Sequence, residues 1–305
     1  MSLRRGYIYA LIAALSYSIV AIFGKFALGA GIEPEVITFY QYLLTSGILF
    51  VYFLVKDRTK LKPSLDQLWR FAAIGVVGGM LSNFFYYHAL TRLSAGLASM
   101  LLFSAPFLIN LFFIVSGIRP IKPVFFIPIG LGLLGNFLAL NVLGESLELS
   151  TWGIFFGLMS AVFFAFYSIF MDLKVKDQDA NQMNMFAALS GMVTSGIYNL
   201  VTQPQALVIP TESIVWMLLN AVFAGLIPVY FVYHSLQLIG SDKFSVLSTI
   251  ELPLTLTMAF IFLNERLTPQ QLAGMSLVVG SIVLLRMLEL RTNRIIARPD
   301  LLPKI

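Results

Sequence analysis

The stretches YYHALTRLSAG (residues 86–96) and VYHSLQLIGSD (residues 232–242) hold both histidines of the 305-residue chain, His88 and His234. Each histidine follows a tyrosine and precedes a small residue and then a leucine. At an offset of 146, Tyr87, His88 and Leu90 fall on Tyr233, His234 and Leu236. At an offset of 147, Gly6 falls on Gly153, Leu11 on Leu158, Ala14 on Ala161, Ile22 on Ile169, Phe23 on Phe170 and Pro106 on Pro253. Matches in constant order and register read as one unit written twice.

What that unit contains follows from composition. Hydrophobic residues make up 58% of the chain and charged residues 11%, with a mean hydropathy of +0.87. Soluble domains carry about 25% charged residues, so lipid is the expected solvent. Predominantly apolar runs occupy 7–28, 36–55, 71–90, 93–118 and 124–143, then 151–171, 183–201, 213–239, 244–263 and 268–285. Each reaches across a hydrocarbon core of ~30 Å as a helix rising ~1.5 Å per residue. The expected fold is an all-α integral membrane protein of ten transmembrane helices. The first run follows Arg4 and Arg5 and resembles a signal peptide, but it is long for one and nine similar runs follow, so it is expected to be retained.

With the N-terminus placed inside, only Lys25, Arg92 and Arg266 of the 20 lysines and arginines fall outside or at outer helix ends. That asymmetry puts both termini in the cytoplasm. It also accounts for the net charge of +5 without nucleic acid, for which no basic, aromatic-interleaved patch exists. The chain has no cysteine, which excludes disulfides and thiolate metal sites.

Five is odd, so the second unit enters the membrane from the opposite side. The expected segments are 1–148 and 149–290, two inverted-topology halves, followed by a basic cytoplasmic tail at 291–305. Such halves are related by a pseudo-two-fold axis in the membrane plane and hold a solute between them near the midplane, the arrangement behind alternating access.

The second half contains LNERLT (residues 263–268), that is Leu-x-Glu-x-Leu-Thr, after Pro253 and before a glycine-bearing last run. With Pro253, Glu265 and Thr268 at marked positions, this resembles the drug/metabolite transporter superfamily in its bacterial ten-helix EamA branch, and the resemblance covers nearly the whole chain. The first half departs from the pattern, reading SGIRPIKP (residues 116–123) where its acidic residue would stand. Relatives often place a glutamate directly before the ninth-run proline, whereas Glu251 stands two before it. The resemblance implies a cavity lined mainly by the first, third, fourth, sixth, eighth and ninth helices, and export of amino acids or other metabolites from a bacterial inner membrane.

Glu251 is the sharpest single candidate. It lies about eight residues, or ~12 Å, into the ninth run, where a carboxyl group costs roughly 2.5–3.5 kcal/mol and normally faces a cavity or a partner. It can take up a proton in one state and bind an amine in another. Its counterpart at an offset of 147 is the uncharged Ser104. Tyr17, Asn83, Tyr86, Tyr87, Tyr167, Tyr230 and Tyr233 lie on runs the family uses for its cavity, where a flat ring with a hydroxyl suits an organic solute. Lys25 is expected to snorkel to the outer interface, with an anion-attracting gate as the other reading. Gly75, Gly79, Gly153 and Gly157 form small-xxx-small pairs expected to serve packing.

His88 and His234 lie ~25 Å and ~31 Å from the ends at which their runs enter the membrane, so they approach opposite faces and cannot share a metal or catalytic site. Proton sensing at each gate stays open. The absence of P-loop, HExxH and GxSxG motifs leaves no catalytic residue, cofactor or metal to expect. The reading is a secondary transporter whose partners are a small-molecule substrate and the lipid bilayer. Coupling to protons or to a counter-substrate, and a monomer or a homodimer, stay open. A passive channel or facilitator and an intramembrane enzyme are the competing classes.

Overall fold

The structure is a computed structural model that describes residues 2–118, 126–139, 150–175, 177–265 and 268–297. Among these residues every regular element is helical. Among the described residues seven helices are long and apolar enough to cross a membrane: α1 (Arg4–Gly29), α2 (Pro34–Lys56), α3 (Leu65–Leu90), α4 (Ala95–Val115), α6 (Thr151–Val175), α7 (Ala180–Thr202) and α8 (Ile214–Ile239). Between α4 and α6 lies the shorter α5 (Phe126–Ala139). After α8 come α9 (Glu251–Leu263) and α10 (Pro269–Ala297).

Helix starts are written locally. Pro34 opens α2, where its missing N–H costs nothing. Ser64 and Gln67 form a reciprocal capping box on α3, and Thr268 with Gln271 does the same on α10. Ser94, Ser150 and Asp179 accept from Leu97, Gly153 and Gln182 at the starts of α4, α6 and α7. Asn264, at φ 54°, ends α9 in the left-handed conformation that asparagine tolerates.

Two boundaries differ from the sequence reading. The apolar run 244–263 is not one α-helix: helical turns continue from α8 through Leu247, a tight 3-10 turn spans Ser248–Ile250, and α9 begins at Glu251. Pro253 can donate no N–H to the carbonyl four residues back, which favours a break just upstream. At the other end α10 runs to Ala297, so residues 291–297 extend a helix rather than begin a tail. No glycine or proline interrupts 281–297. The remainder of the expected tail, 298–305, lies outside the described residues.

Residues 1–109 and 148–266 form one compact unit, and residues 110–147 and 267–305 form a second. In the second, α5 packs on α10 so closely that a methyl group on Gly135 would come 2.8 Å from the Gly274 carbonyl. In the first, polar side chains turn inward and apolar ones outward. Thr38, Gln41, Thr45, Ser160, Asn199 and Asn220 are buried, while Leu15, Val55, Val201 and Phe260 are exposed. That inside-out distribution suits a hydrocarbon solvent, where polar groups must find partners within the protein.

Candidate functional site

The first unit is built around irregular turns. In α3, residues Ile74–Met80 form wide π-helical turns, and in α8 residues Ala221–Leu226 do the same. These segments begin at 74 and 221, the spacing of 147 at which the two halves align. In α4 the helix breaks at Phe103 and Ser104, two residues before Pro106, as the chain breaks at Ser248–Ile250 before Pro253. Wide turns and proline breaks leave backbone carbonyls for side chains to satisfy. Thr45 of α2 donates to the Ala221 carbonyl at 3.4 Å, and Asn184 of α7 donates to that of Gly225 at 2.8 Å.

These irregular segments surround a cavity that offers about 130 Å³ to the centres of water molecules, room for several waters or a small organic solute. Its wall takes Tyr17 from α1, Gln41, Tyr42 and Thr45 from α2, and Ser82, Asn83 and Tyr86 from α3. Phe103 and Pro106 come from α4, Ser160 and Tyr167 from α6, Asn184 from α7, Gly225 from α8, and Ser248 and Glu251 from the α9 entrance. Small residues bring the helices to this spacing: a methyl group on Gly75 would collide with the Ala187 carbonyl, and one on Gly78 would come 2.9 Å from the Tyr167 backbone.

Most polar groups in the wall are already bonded. The Ser82 and Ser160 hydroxyls each donate to the other's carbonyl, at 3.1 and 3.0 Å, tying α3 to α6. Asn83 donates to the Tyr42 hydroxyl at 3.1 Å, and the Tyr86 hydroxyl meets that of Ser99 at 2.9 Å. Glu251 differs: half-buried and open to the cavity, it makes no hydrogen bond or ion pair among the described residues. Tyr17 and Tyr86 line the same cavity.

Beyond Tyr86, where α3 meets α4, the cavity is closed by directional bonds. The Tyr87 hydroxyl lies 2.9 Å from Gln41 Oε1 and 3.0 Å from Asn220 Oδ1. It has one proton to give, so turning over the Gln41 amide supplies one bond donated and one accepted. His88 Nε2 meets Glu35 Oε1 at 3.0 Å, leaving Glu35 Oε2 buried without a partner. Lys25 donates to the Leu93 carbonyl at 2.7 Å. Just past α9, the Glu265 carboxylate accepts from the Ala95 and Gly96 N–H groups at 2.9 and 3.3 Å, where the helix dipole favours negative charge. The other end is apolar, with Phe71, Ile74, Met171, Met183 and Val232 in one buried cluster that Phe244 packs against.

Of the residues singled out in the sequence, Glu251, Tyr17, Asn83, Tyr86 and Tyr167 meet in the wall. Tyr87 stands directly behind it, bonded to the wall residue Gln41. Ser104 is buried at the break in α4 between two wall residues. Tyr233 is buried in the apolar cluster. Tyr230 turns away from the cavity, 38% exposed, with its ring 4.4 Å from that of His234. His88 and His234 sit at opposite ends, one on Glu35 of α2 and the other beside Tyr9 of α1. Lys25 reaches the Leu93 carbonyl in the turn before α4.

The wall also corrects the helix set, since α2 and α7 contribute to it. Their signal was present as Thr38, Gln41 and Thr45, polar residues three and four apart in an apolar run, which marks one inward face.

The model of the EamA-like transporter family matches residues 4–141 and again residues 151–287. The chain belongs to the EamA-like transporter family. The transporter is 24% identical over 302 residues to the uncharacterized transporter YcbK of Bacillus subtilis, covering 95% of each chain. It is also 24% identical over 297 residues to an uncharacterized transporter of Clostridium kluyveri, covering 92% of this chain and 93% of that one. A solved crystal structure shares its fold with a TM-score of 0.70 at 16% identity, across 94% of the transporter and 98% of that chain. The protein is thus a multi-pass membrane transporter and not an enzyme.

Proposed function

We propose that the protein is a secondary transporter of the bacterial inner membrane that moves a small organic metabolite outward by alternating access, with both termini in the cytoplasm. Its halves, 1–148 and 149–290, act as inverted five-helix repeats, and the cavity around Glu251 is the solute site. The observation that carries this reading is the Glu251 carboxylate, without a hydrogen bond or ion pair among the described residues, opening onto a cavity whose polar wall is mostly hydrogen-bonded. A carboxyl group there is costly to insert and makes no bond that offsets the cost. Support for the repeat comes from the double family match, from wide turns that begin 147 residues apart, and from breaks that each precede one of two prolines 147 residues apart. Paired discontinuous helices at a midplane site are a recurring transporter device.

Glu251 is the coupling group, charged when it holds solute and neutral when it holds a proton, or handed from one solute to a counter-solute. The wall tyrosines and Asn83 shape the site, and Lys25, His88 and Glu35 belong to a gate.

The test is reconstitution in liposomes with a screen of labelled metabolites, with and without a pH gradient. Saturable uptake that preloaded solute accelerates from the far side is expected. Flux that rises linearly with concentration and shows no such acceleration would establish a passive facilitator instead.

A further inference from the structure

We infer that the cavity takes a small organic monocation, an amine or quaternary ammonium without a carboxylate; this rests on the cavity being the solute site. Charge is the first argument. Among the described residues of the wall Glu251 is the charged one, and no lysine, arginine or histidine lines the cavity. An anion in a low-dielectric cavity would meet one negative charge and no positive one. A zwitterion would satisfy its ammonium group and leave its carboxylate unpaired, a costly desolvation.

Donor supply points the same way. A ligand carboxylate needs hydrogen-bond donors, and the wall has committed most of its own. Ser82 and Ser160 donate to each other's carbonyls, and Asn184 to that of Gly225. What stays available includes the Tyr17 and Tyr167 hydroxyls, which can meet either sign of charge, but the unpaired carboxylate and the tyrosine faces attract a cation. Tyr17 and Tyr86 line the same space as Glu251. The cavity volume of about 130 Å³ limits the ligand to a small one. This class replaces the amino acid implied by family resemblance, because a zwitterion finds no cationic partner among the described residues of the wall.

The experiment is isothermal titration of the full chain in lipid nanodiscs with two matched probe sets. One is 2-phenylethylamine, 2-phenylethanol, 3-phenylpropanoate and phenylalanine; the other is butylamine, butanol and butanoate. In at least one set the amine is expected to bind roughly tenfold or more tightly than its alcohol, as a charge-assisted bond allows. The acids and the zwitterion should bind no better than the alcohol. Glu251→Gln should bring amine and alcohol within about twofold of each other, and Glu251→Asp, which keeps the charge, should retain the preference. Failure of both amines to bind, equal or tighter binding of an acid or zwitterion, or an amine preference that survives Glu251→Gln overturns the inference. Counterflow separates it from the transport reading. Exchange of a zwitterion or anion without any amine removes the cation class and keeps the carrier. Amine binding without exchange removes the carrier and keeps the class.

Discussion

Three glutamates reach into the first unit, and what surrounds each separates the closed end of the cavity from its centre. At the closed end Glu35 meets His88 and Glu265 caps the start of α4. At the centre Glu251 meets open space. A carboxylate with a built partner holds helices together, whereas one without a partner is kept for a visitor. On the proposed reading the end at Glu35 and Glu265 is a latch of directional bonds, and the centre is the solute site.

That contrast can be broken by substitution. The largest effect is expected at Glu251, where Gln should lower solute exchange roughly ten- to a hundredfold and leave thermal unfolding in detergent unchanged or raised. An equally large loss of stability would make Glu251 structural, like the other two. Next comes Gly75→Ala, whose methyl group meets the Ala187 backbone carbonyl; it should cost about 1–3 kcal/mol in unfolding free energy. His88→Gln removes the partner of a carboxylate that is 11% exposed and should cost about 1–2 kcal/mol. Adding Glu35→Gln should recover part of that loss, and a strictly additive double variant would show that the pair is not coupled. Ser82→Ala breaks one of two reciprocal α3–α6 bonds and should cost about 0.6 kcal/mol. Tyr230→Phe, away from the cavity, should change neither exchange nor melting; a lowered exchange rate would extend the site to the outer face of α8.

The sequence was informative where chemistry and spacing coincide. Apolar run length yields the spans, His88 and His234 reveal the offset, and an acid in an apolar run singles out Glu251. It was misleading where residue type alone was used. Tyr230 and Tyr233 share a helix with wall residues, but one turns outward and the other into an apolar cluster, a distinction of rotation about the helix axis that identity does not carry. Gln41 and Asn184 were overlooked although their inward placement is a matter of periodicity. The wide turns at 74–80 and 221–226 went unread, although the first holds Gly75, Gly78 and Gly79 and the second holds Gly225 before Pro228, because glycines in an apolar run mark close packing as readily as a widened turn. The break before α9 was legible in Pro253, whose missing N–H favours the turn that brings Glu251 to a helix start.

The native chain contains no cysteine, so a single introduced thiol reports one position. Ser248 lines the cavity one turn before Glu251. The most direct test is the rate at which a small methanethiosulfonate reagent modifies Ser248→Cys in reconstituted protein, with and without a saturating concentration of a solute the protein carries. Occupation of the cavity predicts modification that this solute slows severalfold. A rate that saturating solute leaves unchanged would contradict the assignment of the cavity as the transport site.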